Sequence, residues 1–391
     1  AWGTLRSMTP MLSPILWTTA ATGRPPEDHG IMDFLMKEPA PGAEVPISRL
    51  FRRGKAVWNI AGDFGLSTLT VAWWATWPAE AVNGEMITDR VSYSLFDFPS
   101  GGDQPGVVYP ASLLPEVQRL KVDPEEISYE EVRAIIEIDQ GQFERARLAL
   151  DSPQGYSDPV CHLIRVLSST QTYHAIAMKS LARRTPALSM VYYEGLDEVN
   201  HRFAQYAPPA LRMTRDVSPL LVAAYAEAVS NFYRLQDRLI GDLVAAAGSR
   251  AVVMILSDHG FANGSERPLD VPPDVEGKPG LWHTADGILM VAGPPIRATH
   301  LAGQIGLLDI APTLLALFGL PRAADMPGHA LTDIFKTDAA PSTPGIDVAS
   351  YEQIGEPLQP LSAAGASPQD EEMIAKLAAQ GCTLVVSGDC G

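Results

Sequence analysis

The chain has 391 residues, of which 46% are hydrophobic and 19% are charged, a composition typical of a globular protein with a large core and not of a disordered chain. Acidic residues outnumber basic ones by 46 to 29, so the formal net charge is −17 at pH 7. A surface of this charge repels polyanions and no Lys/Arg-rich run offsets it locally, so we do not expect a nucleic-acid polymer as a partner.

The sequence contains no apolar run near the roughly 20 residues that a membrane-spanning helix requires, so we expect a soluble protein. Its three cysteines, Cys161, Cys382 and Cys390, form neither a disulfide framework nor a C-x-x-C metal motif. Residue 1 is Ala, and we expect any targeting signal to lie upstream of this chain. The compartment and the oligomeric state are left open.

Four apolar, β-rich runs are separated by segments with helical patterning, which predicts an α/β protein with a mostly parallel, doubly wound sheet. The runs cover residues 69–77, 187–193, 252–256 and 287–291. Such sheets bind ligands beyond the carboxyl ends of their strands, so the residues that follow each run are the candidates for chemistry. The strongest helical pattern covers 218–247 and is expected to stop at Gly248.

Changes in composition divide the chain into four segments. Residues 1–96 are expected to form the first part of an α/β core, and residues 187–335 its second part. Between them, residues 97–186 begin with a Gly/Pro-rich stretch and continue with charged helical segments, which predicts an inserted, mainly helical cap. Residues 336–391 are predicted to be a linker and a tail, with one short helix at 371–379.

Acidic residues and histidines recur where these strands are predicted to end. They are Asp197 and His201 in GLDEVNH, Asp258 and His259 in ILSDHG, and His283 in LWHTADG. Each motif alone has an ordinary explanation, such as a capping Asp with a surface His, or a strand end followed by a turn. Together they supply carboxylate oxygen and imidazole nitrogen, which zinc prefers and manganese accepts. The combination favours a metal site at one edge of the sheet.

The spacing of these residues suggests how the site is divided. On a helix, Asp197 and His201 share one face and can bind one cation jointly, and His283 could complete that site. Asp258 and His259 are neighbours in an extended segment and point to opposite sides, so they could serve the same ion or reach a second one. Paired ions about 3.5–4 Å apart hold both the attacking and the leaving oxygen of a phosphoryl group.

A hydroxyl-rich segment, SPILWTTAAT at 13–22, supplies candidate nucleophiles. Ser13 followed by Pro14 is predicted to be a helix N-cap with proline at the first helical position, which would place the hydroxyl at the positive end of the helix dipole. Thr9, which also precedes a proline, has the same local pattern, and Thr18 is a further candidate. From the residues alone these hydroxyls remain alternatives.

Six segments carry a resemblance to a known family. They are SPILWTTAATGRPPEDHGI (13–31), WWATWPAEAVNGEMITDR (73–90), YYEGLDEVNHRF (192–203), ILSDHGF (255–261), WHTADGILMVAGPPI (282–296) and DIAPTLLALFGLP (309–321). In order and in strand-end placement they resemble the type I phosphodiesterase/nucleotide pyrophosphatase family of the alkaline phosphatase superfamily. The resemblance implies that superfamily's three-layer α/β/α sandwich with a mostly parallel central sheet, and the 97–186 insertion as its cap.

The resemblance also implies the roles of the site residues. Two divalent metal ions are expected, with zinc favoured and manganese compatible. One would be bound by Asp197, His201 and His283, and the other by Asp258, His259 and the hydroxyl nucleophile. The family's spacing from the nucleophile to the T-G and H-G pairs selects Ser13 as that nucleophile. Because Ser stands where related sulfatases carry a C-x-P-x-R motif, phosphate esters are favoured over sulfate esters.

The function implied is a metal-dependent hydrolase of small phosphodiester or phosphomonoester substrates of the nucleotide type, acting through a phosphoseryl intermediate at a two-metal site. A phosphomutase or a phosphonate hydrolase on the same scaffold, and a non-catalytic relative that binds a phosphorylated ligand, are the alternatives. Trp77 and Glu80 could line the substrate pocket, although a cluster of aromatic residues at a strand end more often packs a core.

The chain departs from the family at one metal ligand. Family members take a further Asp from the end of a first strand upstream of the nucleophile, and only twelve residues precede Ser13 here. Asp63 is a weak substitute by its sequence context. We therefore expect a chain that lacks the first strand and is weakly active or inactive on its own.

Overall fold

Strands and helices alternate along the chain in the computed structural model, which describes residues 1–37, 44–92, 105–150, 152, 155, 158–207, 218–263, 279–337, 348–355 and 357–358. The strands are β1 (Trp2–Arg6), β2 (Leu35–Lys37), β3 (Glu44–Pro46), β4 (Thr68–Val71), β5 (Gly84–Ile87), β6 (Val108–Tyr109), β7 (Leu188–Val191), β8 (Val253–Leu256), β9 (Gly260–Phe261), β10 (His283–Thr284), β11 (Asp286–Ala292) and β12 (His300–Gly306). The helices are α1 (Ser13–Thr22), α2 (Pro26–His29), α3 (Val57–Asp63), α4 (Leu114–Leu120), α5 (Tyr129–Arg133), α6 (Gln140–Ala149), α7 (Pro159–Arg183), α8 (Gly195–Phe203), α9 (Pro219–Tyr225), α10 (Ala228–Ala247) and α11 (Ile310–Leu317). Within those residues, no helix has both the length and the apolar character needed to cross a membrane.

The strands form two four-stranded sheets and two short two-stranded ladders. The first sheet has the order β6-β5-β4-β7, in which β4 is parallel to β5 and β7, and β6 is antiparallel to β5. The second has the order β12-β1-β11-β8, in which β1 is parallel to β12, and β11 is antiparallel to β1 and β8. The α/β class predicted from the sequence is confirmed, and each sheet contains antiparallel pairs beside the parallel ones.

The two sheets differ in how their faces are covered. All four residues of β4 are buried, and because successive side chains point to opposite faces, both faces of the first sheet are covered. Trp58 of α3 and Tyr173 of α7 belong to the core of that sheet. In β1 and β11 buried and exposed residues alternate, so among the described residues the second sheet is covered on one face. Leu16 of α1 and Ile310 of α11 pack there.

The first predicted strand ends earlier in the structure than its apolar run does. β4 stops at Val71 because Ala72 and Ala75 have φ angles of 60° and 54°, a left-handed conformation that is uncommon for residues other than glycine. The buried carboxylate of Asp89 stabilises this turn, since it accepts hydrogen bonds from the backbone N–H groups of Ala75 and Trp77 at 2.9 and 3.1 Å. The tryptophan-rich segment is therefore a turn at the carboxyl end of β4.

The helix predicted over 218–247 is divided in the structure. Two residues separate α9 from α10. The carbonyl oxygen of Ala224 accepts a hydrogen bond from the backbone N–H of Glu137 at 2.8 Å, a tertiary contact that replaces the bond which would have continued the helix. Gly248, with a φ of 80°, ends α10 as the sequence predicts.

The sequence patterns do not predict β1, although this strand lies inside the second sheet between β12 and β11. A Cβ atom on Gly3 would lie 2.9 Å from the carbonyl oxygen of Leu301 in β12, so the glycine allows the two strands to pack. Among the described residues, β7 pairs only with β4 and β8 pairs only with β11. The expectation of a further strand that ends in a metal-binding Asp stays a prediction.

Helix α7 joins the segment predicted as a cap to the rest of the molecule. Leu163 and Val166, in its first half, pack in a second apolar core with residues of α5, α6, α8 and α10. Tyr173 and Ile176, in its second half, pack in the core of the first sheet. The helix is thus shared by the predicted cap and the α/β core, and the domain boundaries stay predictions.

Part of the predicted tail packs against the core. Tyr351 is buried, and the carboxylate of Glu352 accepts a hydrogen bond from the backbone N–H of Lys55 at 2.7 Å. The helix predicted at 371–379 lies outside the described residues, as do Cys382 and Cys390.

Candidate metal centre

Helix α8 follows β7 after a short turn and carries two of the predicted ligands. A Cβ atom on Gly195, the first residue of α8, would lie 2.5 Å from Cζ of Phe232 and 2.9 Å from Oγ1 of Thr170, so α8 begins in close contact with α10 and α7. Asp197 Oδ2 lies 3.4 Å from Nε2 of His201, four residues further on. The spacing places both side chains on one face of the helix.

His259 and His283 approach the same helix from the other side. His259 follows β8, and His283 is the first residue of β10, which pairs with β9. Their rings stack with centroids 3.6 Å apart, and both Nε2 atoms lie 3.5 Å from Oδ1 of Asp197. His283 Nε2 is also 3.1 Å from Nε2 of His201, and His259 Nε2 is 3.7 Å from Oδ2 of Asp258. The structure therefore brings all five predicted ligands together.

The second nitrogen of each stacked ring fixes its tautomer. His283 Nδ1 lies 2.9 Å from the carbonyl oxygen of Met11, and His259 Nδ1 lies 3.1 Å from that of Gly260. A carbonyl oxygen only accepts, so both Nδ1 atoms must donate. In the neutral rings Nε2 then carries the lone pair: that of His259 faces Asp197, and that of His283 faces Asp197 and Nε2 of His201. This arrangement, in which one ring nitrogen is held by a backbone carbonyl, is the usual one for metal-binding histidines.

Several polar atoms at this place have no partner among the residues that the structure describes. Asp197 Oδ1, Asp258 Oδ2 and His259 Nε2 are buried and make no hydrogen bond. An unsatisfied buried polar group typically costs about 1–3 kcal/mol, and native proteins contain few of them. Three such atoms gathered around His259 are suited to binding metal cations, which would satisfy them.

The spacing of the atoms fits a cation of the size of zinc. One ligand atom each from Asp197, His201 and His283 lies within 4.8 Å of the other two. Ligands at about 2.0–2.2 Å from a tetrahedral ion are separated from one another by roughly 3.4 Å. The separations of 3.1 Å and 3.5 Å that His283 Nε2 makes with His201 and Asp197 are close to that value.

The two carboxylates differ in their electrostatics. Burial alone would raise the pKa of Asp197, but His201 and His283 hold the pKa of this carboxyl well below its ordinary value. The pKa of Asp258 is raised, mainly because burial disfavours its charged form and partly because Asp197 is close by. Asp197 is thus the carboxylate that stays ionised most readily, as a metal ligand must.

Ser13 is buried at the N-terminus of α1, one residue further into the helix than the sequence suggests. The N-cap is Leu12, whose carbonyl oxygen accepts the first bonds of the helix from the N–H groups of Ile15 and Leu16. Ser13 still lies at the positive end of the helix dipole. Met11, two residues before it, is held by His283, which ties this end of α1 to the histidine cluster.

The competing hydroxyls lie in different places. Thr9 is exposed before the helix starts. Thr18 is buried in the middle of α1, five residues after Ser13 and so about 140° around the helix. Ser13 and Thr18 therefore cannot both face the cluster. The choice of Ser13 as nucleophile stays a prediction.

Glu80, predicted as a substrate contact, lies in a buried ion-pair cluster. Its oxygens accept hydrogen bonds from Arg52 at 2.8 Å, from Arg49 at 3.0 Å and from Nε1 of Trp58 at 2.9 Å. Burial raises its pKa, but Arg52 and Arg49 outweigh burial and lower the pKa to about 2. A carboxylate whose acceptor sites are used in this way is a counter-ion of the fold, so this geometry does not support a contact with substrate.

Trp77 and Asp63 also have partners within the fold. The guanidinium of Arg90 lies 3.9 Å from the ring centroid of Trp77, whose Nε1 donates to the carbonyl oxygen of Pro105 at 3.2 Å. Asp63 pairs with the buried Lys55 at 2.6 Å, so the suggestion that it replaces an absent metal ligand has no support from its position. The substrate contact of Trp77 stays a prediction.

Sequence patterns miss one buried pair beside the centre. His162 Nε2 lies 2.9 Å from Oε2 of Glu198, and the two side chains are only 4% and 7% exposed. Glu198 follows Asp197 on α8, while His162 lies near the start of α7. The two residues are 36 positions apart in the chain, so no local motif could have linked them.

Comparison with known proteins gives a consistent family. The family described as Type I phosphodiesterase / nucleotide pyrophosphatase matches residues 1–301. Two curated relatives are 2,3-bisphosphoglycerate-independent phosphoglycerate mutases. The one from Synechococcus sp. is 27% identical over 164 residues, which cover 40% of this chain and 26% of the relative. The one from Laribacter hongkongensis is 35% identical over 98 residues, which cover 25% and 17%. The chain thus spans about a quarter or less of the length of these relatives.

Two solved structures are similar over a larger part of the chain. Human ectonucleotide pyrophosphatase / phosphodiesterase 5 is 13% identical, with 86% of this chain and 92% of that chain covered and a TM-score of 0.44. Phosphonoacetate hydrolase from Sinorhizobium meliloti 1021, in complex with phosphonoformate, is 19% identical, with 69% and 50% covered and a TM-score of 0.32.

Proposed function

The chain belongs to the type I phosphodiesterase / nucleotide pyrophosphatase family, and from this premise we propose that it is a metal-dependent hydrolase of phosphate esters. The observation that carries the proposal is the set of unpartnered buried acceptors on Asp197, Asp258 and His259, which lie beside the N-terminus of a helix that begins with Ser13. A cation and a phosphoryl group are complementary to these two features.

The proposed division of ligands follows the distances. Asp197, His201 and His283 would hold one divalent cation, since their ligand atoms are grouped within 4.8 Å. Asp258 and His259, each with an unpartnered atom, would hold a second one. Zinc suits this mixture of imidazole and carboxylate, and manganese is compatible with it. When bound, such ions supply Lewis acidity and neutralise charge on the oxygens of the phosphoryl group.

The protein's own residues would direct the reaction. The Ser13 oxygen, after losing its proton to solvent, attacks phosphorus, and the bond from phosphorus to the leaving alcohol breaks. The N-terminus of α1 favours the negative charge on the Ser13 oxygen and on the phosphoryl group. Water then cleaves the phosphoseryl bond, which releases phosphate or a phosphomonoester and restores Ser13. The hydrogen bond between His283 and the carbonyl oxygen of Met11 keeps this end of the helix next to the cluster.

The substrates we propose are small phosphodiesters and phosphomonoesters of the nucleotide type. A panel of chromogenic phosphodiesters and phosphomonoesters, assayed with added Zn²⁺ or Mn²⁺, tests this class directly. Acid quenching during turnover followed by peptide mass spectrometry is expected to find one phosphoryl group on the peptide that contains Ser13. Hydrolysis with no phosphorylated peptide, or with phosphate on Thr18, would contradict the proposed nucleophile.

A phosphomutase is a second candidate because the curated relatives are named as mutases. A mutase moves the phosphoryl group from the phosphoserine to a hydroxyl of the substrate, whereas a hydrolase gives it to water. Release of inorganic phosphate in proportion to substrate consumed supports the hydrolase. Conversion of one phosphorylated isomer to another, with little phosphate released, would favour the mutase.

A further inference from the structure

Phe261 contacts all three histidines of the candidate metal centre, although the proposed reaction gives it no role. Its ring centroid lies 4.8 Å from that of His201, 5.0 Å from that of His283 and 5.8 Å from that of His259. The ring meets the first two imidazoles edge to face, at interplanar angles of 81° and 72°. One aromatic side chain thus borders candidate ligands of both proposed ions.

The backbone holds Phe261 in this place through a close pairing with the strand that carries His283. The two residues are opposite each other in the antiparallel ladder of β9 and β10. Next to them, the backbone N–H of Ala262 donates to the carbonyl oxygen of Trp282 at 2.7 Å. A Cβ atom on Gly260 would lie 2.5 Å from a carbonyl oxygen at the start of β11. The glycine therefore permits the close approach that sets the position of the Phe261 ring.

Packing of an apolar core does not account for this aromatic ring. Phe261 is only partly buried, and among the described residues it belongs to none of the four apolar cores. Phe143 and Phe203, by contrast, are buried in the second core. A ring that lies outside these cores and borders three imidazoles is better explained by its effect on the imidazoles.

Histidine ligands need such a contact because their own torsion does not fix the ring. The preference about the Cβ–Cγ bond of histidine is broad, and a rotation there turns the Nε2 lone pair away from a cation. The hydrogen bonds from Nδ1 of His259 and His283 fix the tautomers, but a hydrogen bond tolerates a range of ring angles. A flat aromatic ring packed against an imidazole narrows that range.

The stacking of two imidazoles explains how one ring can serve both proposed ions. His259 and His283 are nearly parallel, with an interplanar angle of 15°, so a contact that fixes the angle of one ring also restricts the other. His201 is bordered by a second aromatic ring, that of Trp282, at a centroid distance of 5.5 Å. Metal–ligand distances tolerate only about 0.2 Å, so small changes in these ring angles would weaken metal binding.

We propose that Phe261 is a positioning residue of the metal centre, whose ring sets the angles at which the imidazoles of His201, His259 and His283 meet their cations. This inference rests on the metal centre proposed above, and it assigns Phe261 no contact with substrate. It predicts that an aromatic side chain, and not merely an apolar one, is required at this position.

The test compares Phe261→Leu, which keeps an apolar side chain but removes the ring, with Phe261→Tyr, which keeps the ring. Zn²⁺ is titrated into the metal-free full chain by calorimetry, and Co²⁺ into a second sample, where its visible absorption reports the geometry of the ligands. We expect Phe261→Leu to bind Zn²⁺ about 10–100-fold more weakly, the range usual for residues that orient metal ligands, and to change the Co²⁺ spectrum. We expect Phe261→Tyr to stay within threefold of wild type with an unchanged spectrum.

Phe143→Leu is the matched control, since it removes the same ring from the second core, where that ring packs against Tyr129. It should lower the melting temperature of the metal-free protein and leave the Zn²⁺ affinity within threefold. An affinity of Phe261→Leu within threefold of wild type, or equal losses in the Leu and Tyr variants, overturns the proposal.

If Phe261→Leu does not fold, Phe261→Met takes its place under the same criteria. Failure of both variants to fold would show that the ring is required for the fold itself, which also overturns the proposal. Wild type that binds neither Zn²⁺ nor Co²⁺ overturns the proposed function instead, so the two failures are distinguishable.

Discussion

Two buried acidic clusters of this protein differ in how their polar atoms are satisfied. Glu80 accepts hydrogen bonds from Arg49, Arg52 and Trp58, and its pKa is lowered to about 2. Asp197 and Asp258 are surrounded by imidazoles, and one oxygen of each has no partner. The first cluster is fully paired, whereas the second keeps unpaired polar atoms among the described residues.

This difference separates a structural from a functional role more clearly than burial does. Both clusters contain a buried carboxylate, Glu80 in the first and Asp258 in the second. Full pairing is the state in which a buried ion costs least, so a cluster that is left incomplete stores an unfavourable free energy that a ligand can recover. Substitutions in each cluster should therefore have different effects on stability and on metal binding.

The largest effect is expected at the nucleophile. Ser13→Ala removes one hydroxyl and should lower turnover at least about 1,000-fold, because the covalent step is lost. Occupancy of the first ion and circular dichroism should match wild type, since no ligand of that ion is changed. Thr18→Ala is the control on the same helix and should retain activity within about tenfold. If Thr18→Ala is inactive and Ser13→Ala is active, the wrong hydroxyl has been assigned.

A substitution in the Glu80 cluster should instead change the stability of the protein. Glu80→Ala leaves Arg49 and Arg52 buried without their counter-ion and should lower the free energy of unfolding by about 3–5 kcal/mol. At temperatures where the variant is folded, its affinity for Zn²⁺ should be unchanged. Chemical denaturation and calorimetric titration of the same sample check both statements. A large loss of metal affinity would instead show that Glu80 contributes to metal binding.

The pH dependence of stability gives a smaller, independent signal from the same residue. The pKa of Glu80 falls from an ordinary value of 4.5 to about 2 on folding, so the charged form contributes stability that is present above pH 4.5 and is lost as the pH falls through about 2. The contribution is on the order of 3 kcal/mol. Denaturation of wild type and Glu80→Gln between pH 6 and the lowest pH at which both fold should show the difference between them shrinking; a constant difference would be inconsistent with this pairing.

A substitution in the metal centre should have the opposite pattern to Glu80→Ala, with a large effect on metal affinity and a small one on stability. Asp197→Ala removes a partly exposed carboxylate whose contacts with histidines are long, at 3.4 to 3.5 Å, so the metal-free protein should lose less stability than it does in Glu80→Ala. Metal affinity should fall at least about 100-fold, since loss of residues that merely orient ligands already costs 10–100-fold. A variant that is strongly destabilised without metal, or that binds metal normally, would show that Asp197 has a structural role like that of Glu80.

Much of the metal centre could be predicted because its candidate ligands occur in short local motifs. Asp197 with His201 is a helical spacing, and Asp258 with His259 follows an apolar strand, so both pairs are visible in a single sequence. Their convergence also follows from the rule that ligands gather at strand ends. The partners of Glu80, which come from other parts of the chain, have no local signature, so its ion-pair cluster could not be predicted from the sequence.

The errors in the fold have the same origin. The turn after β4 requires Asp89, and the break between α9 and α10 requires the backbone of Glu137; neither contact has a local signature. β1 is short, and its sequence, WGTLR, includes a glycine and an arginine. Its place inside a sheet therefore follows from its neighbours and not from its own pattern. Local patterns therefore indicate element types and motif chemistry, while element ends and ion-pair partners depend on tertiary contacts.

The central claim, that divalent cations complete the cluster of Asp197, His201, Asp258, His259 and His283, is tested most directly by observing the eight histidines during metal titration. In ¹⁵N-labelled protein, the Nε2 signals of His201, His259 and His283 should shift together as Zn²⁺ is added. His259 and His283 should keep protons on Nδ1, where backbone carbonyls hold them. His29, bonded to Thr19 at 3.0 Å, should not move. Shifts confined to other histidines, or saturation with no change at these three, would contradict the account.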